Sequence, residues 1–248
     1  MLAALEAVAR RAGAVVMEVY GSDFAVRAKD DASPVTAADE RAEAIILPEL
    51  ARLAPNVPIV AEEAVAAGRI PEVGGHFWLV DPLDGTKQFI QRNGEFTVNI
   101  GLVVDGMPRV GVVLAPALGL LWSAEGPGTA TAVDDNGRRR AIACRPAPAH
   151  GARVLTSRSN MNPEGMARWL ADKPGATFSL LGSSLKMCRV AEGAADFYPR
   201  FGPTSEWDTA AAHAVLLAAG GRIETFDGKP LGYGKQRFLN PDFLARGV

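Results

Sequence analysis

Two aspartates stand three residues apart in Asp81-Pro82-Leu83-Asp84-Gly85-Thr86, directly behind the apolar run Phe77-Trp78-Leu79-Val80. Such a run reads as a buried strand. Acids at its end make poor core but good ligands for a hard cation, which takes oxygen donors. Gly85 lets a phosphate approach the backbone, and Thr86 offers a hydroxyl beside the carboxylates. A site for two ions about 3.5–4 Å apart needs carboxylates from several elements. The other candidates are Glu62 and Glu63, after Pro58-Ile59-Val60-Ala61, and Asp208, with Asp39 behind them. Together these residue types suit metal-assisted chemistry on a phosphate ester.

Each acid also admits a plainer role. Glu62-Glu63 would serve as a solvated loop after a strand. An Asx-type turn around Pro82 accounts for one of Asp81 and Asp84, but not for both together with Thr86. Thr36-x-x-Asp39 has the form of a capping box, and Ser205-x-x-Asp208 would cap a helix starting near Trp207. Capping and catalysis are compatible, because a helix N-terminus gathers phosphate.

Two basic segments could hold an anionic ligand. Gly182-Ser183-Ser184-Leu185-Lys186 joins a strand to a helix, as either a phosphate cradle or a serine N-cap with a surface lysine. Tyr198-Pro199-Arg200-Phe201-Gly202-Pro203 sets an arginine among rigid neighbours, which suits bidentate phosphate recognition. Arg158, in Ser157-Arg158-Ser159, is a third, weaker candidate. His76, His150 and His213 are scattered and read as structural; Met187 and Cys188 read as core. The chain has no G-x-S-x-G elbow, Walker A loop or G-x-G-x-x-G turn, which excludes serine hydrolases, P-loop enzymes and Rossmann dehydrogenases.

The elements that must position these groups follow from periodicity. Leu2, Leu5, Val8, Ala12, Val15, Val16 and Val19 form a helical stripe stopped by Gly21. Residues 29–34 are a polar loop. Thr36 opens a second helix, with a kink expected at Pro48. Strands are expected at 57–60, 97–104, 110–114 and 120–122, with an Asp105-Gly106 hairpin turn. After the polar turn at 134–140, strands (154–156, 177–181, 195–198, 221–224) alternate with helices (166–170, 184–192, 207–219). The pattern is α+β in the first half and α/β in the second, with a boundary near 145 separating parts 1–145 and 146–248.

At 248 residues with 48% hydrophobic content, the chain can bury a large core. Its net charge of -2 argues against nonspecific nucleic-acid or anionic-membrane binding. Cys144 and Cys188 form no C-x-x-C pair and suggest neither a disulfide framework nor a zinc site, so a reducing cytoplasm is expected. No apolar stretch approaches the roughly 18 residues a membrane-spanning helix needs, and no signal peptide is evident.

Glu62-Glu63, then Asp81 to Thr86, then Trp207-Asp208 resemble, in that order, the hallmark of the lithium-sensitive, magnesium-dependent phosphatases that include inositol monophosphatases and fructose-1,6-bisphosphatases. Within that superfamily the chain looks most like bacterial 3'(2'),5'-bisphosphate nucleotidases of the CysQ type. The matching segments are Ser33 to Asp39, Trp78 to Ile90, Asn93 to Asn99, Gly182 to Lys186, Tyr198 to Thr204, Gly228 to Leu231 and Phe238 to Pro241. Ala64-Val65-Ala66-Ala67-Gly68 and Gln88 depart from the nucleotidase pattern and leave substrate choice open.

The resemblance implies a layered αβαβα sandwich. It implies two or three Mg2+ ions held by Glu62, Asp81, the Leu83 carbonyl, Asp84 and Asp208. Thr86 and Asp39, with Glu62, would orient and activate water. Gly85 and Thr86 would contact the scissile phosphate, beside Glu62 and Asp208, and Ser183, Ser184, Lys186 and Arg200 would bind the rest of a doubly phosphorylated nucleotide. The implied reaction is hydrolysis of adenosine 3',5'-bisphosphate (PAP), with its sulfated form PAPS as a second substrate. Inositol or sugar monophosphate hydrolysis and noncatalytic nucleotide sensing are the competing readings. A monomer or homodimer is expected, as is a cytoplasmic location compatible with peripheral association with the inner membrane.

Overall fold

The computed structural model describes residues 1–28, 34–158 and 162–247. The polar loop expected at 29–34 falls largely outside them, as do Ser33 and Ser159. Helix α1 (Leu2–Tyr20) buries Leu5, Val8, Ala12 and Val16, the stripe read from the sequence. β1 (Val26–Ala28) pairs antiparallel with β2 (Pro34–Thr36), which leads into α2 (Ala37–Leu53). Ala38 N donates to the Thr36 hydroxyl and Thr36 N donates to Asp39, so the expected capping box is formed. The helix continues to Leu53 past Pro48.

β3 (Ile59–Ala61), α3 (Glu62–Ala66), β4 (His76–Asp84), α4 (Thr86–Ile90), β5 (Thr97–Val104), β6 (Met107–Ala115), β7 (Leu120–Glu125), β8 (Thr131–Val133) and β9 (Arg139–Ala141) follow. Their strands form one sheet in sequence order. Its pairings are antiparallel apart from β3 with β4. Asp105 and Gly106 both have positive φ, 50° and 74°, which matches the strand twist across a two-residue hairpin.

The second half contains β10 (Arg153–Ser157), α5 (Pro163–Leu170), β11 (Thr177–Leu181), α6 (Leu185–Ala191), β12 (Phe197–Arg200), β13 (Thr204–Ser205), α7 (Ala210–Ala218), β14 (Arg222–Thr225), β15 (Leu239–Asn240) and β16 (Phe243–Arg246). A second sheet has the order β11-β10-β12-β16-β14. β10 runs parallel to β11 and β12, and β16 runs antiparallel to β12 and β14. The short strands β13 and β15 pair separately.

Strands β4 to β7 of the first sheet are buried on both faces and are therefore largely apolar, whereas the edge strand β9 is exposed. Trp78, Val80, Ile100 and Val112 point toward α1 and α2, while Phe77, Leu79, Val103 and Val113 point toward α6 and α7. Across α6 and α7, the same core takes in Leu155, Tyr198 and Phe243 of the second sheet. Trp169 of α5 meets Phe197 edge-on from the outside of that sheet, at 5.3 Å between ring centroids. The layers are therefore α1/α2, sheet, α6/α7, sheet and α5, the expected αβαβα sandwich.

Glycines let the central layer approach. Gly101 and Gly111 face each other across β5 and β6, and a Cβ on Gly111 would lie 2.1 Å from the Ala211 carbonyl oxygen. Alanine on the helix and glycine on the sheet thus seat α7 directly on the strands. Two expectations shift here. The helix expected from Trp207 begins at Ala210, with Thr209 as N-cap, because 205–209 is drawn into a turn. The strand expected at 195–198 lies at 197–200, because Ala194 and Ala195 N both bond back to Arg189 and finish α6. Among the described residues no helix is long and apolar enough to cross a membrane.

His213 is fully buried in α7, with Nδ1 3.0 Å from the Tyr233 hydroxyl. Burial holds its pKa down at about 3. Its contribution to stability is therefore present above the unfolded pKa of about 6.5 and is lost as pH falls toward 3. Between pH 6 and pH 4 the protein should lose about 1.4 kcal/mol per pH unit more than His213→Leu. Parallel pH–stability curves for the two proteins would contradict this.

Candidate active site

Asp81 and Asp84 owe their shared side of the sheet to a bulge. Asp81 pairs with Asn99 and Asp84 with Thr97, so β4 carries one extra residue between the pairs. In a regular strand residues three apart face opposite ways, and an extra residue restores the second to the face of the first. Leu83 turns instead into the α1/α2 core. The parallel register of β3, with Ala61 beside Val80, brings Glu62 next to Asp81. Asp208 arrives from the opposite layer, in the turn before α7.

Main-chain donors hold each aspartate. Leu83 N donates to Asp81 (3.0 Å), Ser184 N to Asp84 (2.6 Å), Ser205 N to Asp208 (2.9 Å) and Thr36 N to Asp39 (2.8 Å). Behind Asp84, Thr97 bonds Ser184 Oγ, Ser184 Oγ donates to Asn99 Oδ1, and Asn99 Nδ2 donates to Asp84 at 3.4 Å. The Thr86 hydroxyl lies 3.2 Å from Asp39 Oδ1 and 3.3 Å from the Leu83 carbonyl, and it can donate to either. Gly85, at φ 95°, makes the left-handed turn that aims Thr86 there. Thus Asp39 is both cap and site neighbour. Asp208 closes a turn ahead of α7 and does not cap it.

The acids crowd one another electrically. Burial, with Glu62, Asp84 and Asp208 nearby, pushes Asp81 well above the usual carboxylate range, and Glu62 also hydrogen-bonds to it. Burial raises Asp208 well above that range too, with Asp84 and Glu62 adding to it. Burial lifts Asp84 to about 6, against the pull of Lys186 and the Ser184 N–H.

Glu62, Asp84 and Asp208 line a cavity of about 210 Å³ together with Gly85, Thr86, Ser183, Ser184, Lys186 and Arg200. The Lys186 ammonium donates to the Leu181 and Ser183 carbonyls and sits 5.1 Å from the Tyr198 ring centre. Burial lowers its pKa to about 8. Arg200 is held by the Gly202 and Pro203 carbonyls (3.2 and 2.7 Å). Ser183 adopts φ 46°, in the sparsely populated left-handed region, and its buried hydroxyl has no hydrogen-bond partner among the described residues. Arg158 is drawn away, paired through two bonds to Glu95, which also accepts from Gly182 N. The main-chain N–H of Glu63 donates to the Glu43 carboxylate, and Glu63 is not among the residues lining the cavity. Lys87 and Thr204 also line the cavity and were missed by sequence reasoning.

Among the described residues no three His, Cys, Asp or Glu side chains are close enough to form a ready-made metal cage. The donor set nevertheless suits a hard cation: it is all oxygen, and Asp81 and Asp208 are raised first by burial and then by neighbouring carboxylates, a charge imbalance that a positive ion would offset.

A five-layer sandwich with a carboxylate-lined cleft facing buried lysine and arginine defines the class of phosphate-handling proteins to which the resemblance pointed. The chain belongs to the inositol monophosphatase family, whose model matches residues 1–246. That family is metal-dependent. The chain is 46% identical over 239 residues to the 3'(2'),5'-bisphosphate nucleotidase CysQ of Escherichia coli K12, covering 95% of each protein. It is 32% identical to the protein of that name from Haemophilus influenzae, covering 97% of this chain and 90% of the relative. Among solved structures, CysQ from Bacteroides thetaiotaomicron, described as a bacterial member of the inositol monophosphatase family, superposes with TM-score 0.81 at 36% identity, covering 99% of this chain and 96% of that one. An inositol monophosphatase from Anabaena gives TM-score 0.75 at 28% identity, covering 99% and 89%.

The crowding has a measurable sign. A carboxyl raised by burial and by its neighbours destabilises the folded state at neutral pH, and that stability returns as pH falls. In EDTA at neutral pH, Asp81→Asn should melt higher than the parent, by about 2–4 °C for each kcal/mol of desolvation and repulsion removed. A lower melting temperature would contradict the crowding.

Proposed function

We propose that the chain is a magnesium-dependent 3'(2'),5'-bisphosphate nucleotidase that hydrolyses the 3'-phosphate of PAP to give AMP and phosphate, with PAPS as a second substrate. One observation carries the choice of substrate: Lys186 and Arg200 are both buried, rigidly held cations lining the same cavity as the carboxylates. The uncharged polyol part of a polyol monophosphate does not call for that second clamp, whereas a second phosphate does.

Glu62, Asp81, the Leu83 carbonyl, Asp84 and Asp208 would hold two or three Mg2+ ions, an all-oxygen set matching that cation's preference. When bound, the ions supply Lewis acidity and lower the pKa of water. The rest falls to the protein. Thr86 can donate to Asp39 Oδ1 while its lone pairs accept from the attacking water, and the proton passes along Thr86 Oγ1 toward Asp39. Thr36 fixes Asp39 by accepting nothing from it and donating twice to Oδ2, which leaves Oδ1 facing Thr86. Gly85 and Thr86 meet the scissile phosphate through their backbone. The Ser183 hydroxyl, Ser184, Lys186 and Arg200 receive the remainder of the nucleotide.

In this reading the 1–145 part supplies most of the metal ligands, and the 146–248 part supplies the substrate groups and Asp208. The enzyme is cytoplasmic, works as a monomer or homodimer and does not bind nucleic acid.

Arg200→Ala should raise KM for PAP about 10-fold or more, the scale of a lost charge-assisted bond, while leaving hydrolysis of a simple monophosphate nearly unchanged. Equal losses on both substrates would overturn the assignment of the second phosphate to Arg200.

A further inference from the structure

Asp208 reaches the cleft from a turn with no regular structure of its own, and residues 233–240 hold that turn. Glu206 N donates to the Phe238 carbonyl (2.8 Å). The fully buried Glu206 carboxylate accepts from Gly234 N, Lys235 N and the Lys235 ammonium. Strand β15 pairs Asn240 with Thr204 and Leu239 with Ser205.

Asn240 closes the strap, and it is almost fully buried. Its Nδ2 lies 2.9 Å from the Ser205 carbonyl, 3.2 Å from Thr204 Oγ1 and 3.1 Å from Thr209 Oγ1. The Ser205 carbonyl can only accept, so the amide nitrogen must face this cluster. Its Oδ1 has no hydrogen-bond partner among the described residues. The three acceptors bracket Asp208 in the chain. Ser205 supplies the N–H that holds Asp208 Oδ2, and Thr209 is the residue after Asp208. Thr209 Oγ1 also accepts from the Tyr233 hydroxyl and donates to the Glu206 carbonyl. One side-chain amide therefore fixes both flanks of an acid that its neighbours repel.

We infer that Asn240 is a positioning residue for Asp208: it sets the acid's place in the cleft and thereby the cation affinity of the site, without itself touching cation or substrate. The inference rests on the reading of Asp208 as a cation ligand. Supporting groups of this kind commonly govern affinity about 10–100-fold.

The test is Mg2+ binding to the full chain without substrate, by titration calorimetry, for the parent, Asn240→Ala and Asn240→Asp. Asp keeps the shape of Asn240 but lacks the donor. Ile46→Ala, in the α1/α2 core far from the strap, shows what mere destabilisation does. Both Asn240 variants should bind Mg2+ about tenfold more weakly or worse. Their KM for PAP at saturating Mg2+ should stay within about twofold of the parent, because Asn240 makes no substrate contact in this account. Ile46→Ala should melt lower yet bind Mg2+ as the parent does. A parent that takes up Mg2+ with Asn240 variants matching Ile46→Ala overturns the positioning role alone. A parent that takes up no Mg2+ overturns the cation reading as well.

Discussion

The structure turns on the burial of like charges. Asp81 is buried, Asp84 and Asp208 are half-buried at the cavity wall, and with Glu62 nearby all three are driven toward protonation by burial and by one another's charge. Left to packing alone, such groups would separate or turn outward, since an unpaired buried carboxylate is costly. What prevents this is the main chain. Leu83, Ser184 and Ser205 each present an N–H to one of these acids, and Thr36 does the same for Asp39. The peptide donors come from a bulge, a helix entry, a turn and a cap, four local structures that the rest of the sandwich stabilises.

The central helical layer converts that local control into a site. α6 brings Lys186 and α7 brings Asp208 against the strand ends carrying Asp81 and Asp84. The seating of α7 depends on Gly101 and Gly111, which leave no side chain between helix and sheet. Packing and chemistry are linked at this point: any side chain on Gly111 would meet the Ala211 backbone and lift the helix whose first turn follows Asp208. The cations opposite are equally fixed, since Lys186 and Arg200 spend donors on carbonyls of their own loops. A phosphate would find them already oriented.

Much of this was legible in the sequence where the physics is local. The α1 stripe, the Thr36–Asp39 capping box, the Asp105-Gly106 turn and the clustering of Asp81, Asp84 and Thr86 each follow from neighbouring residues. The order of the three acidic segments carried the family resemblance, and with it the layered fold. Long-range pairing was not legible. Nothing near Asp84 announces the bulge that reverses its face, which shows only in the register with β5. Arg158 looked available because its partner, Glu95, lies 63 residues away. The strand at Phe243–Arg246 is short, and its place between β12 and β14 is set by partners far back in the chain. For the same reason the hold of Asn240 on the Asp208 turn was hidden: its acceptors lie 31 to 36 residues upstream.

The central claim is that an acidic cation site and a separate pair of buried cations act together on one doubly phosphorylated substrate. Phosphate release with Mg2+, compared between PAP and inositol 1-phosphate and repeated in EDTA, tests both halves at once. The account predicts a higher kcat/KM for PAP and no release from either substrate in EDTA. A higher kcat/KM for inositol 1-phosphate, or turnover that persists in EDTA, would contradict it.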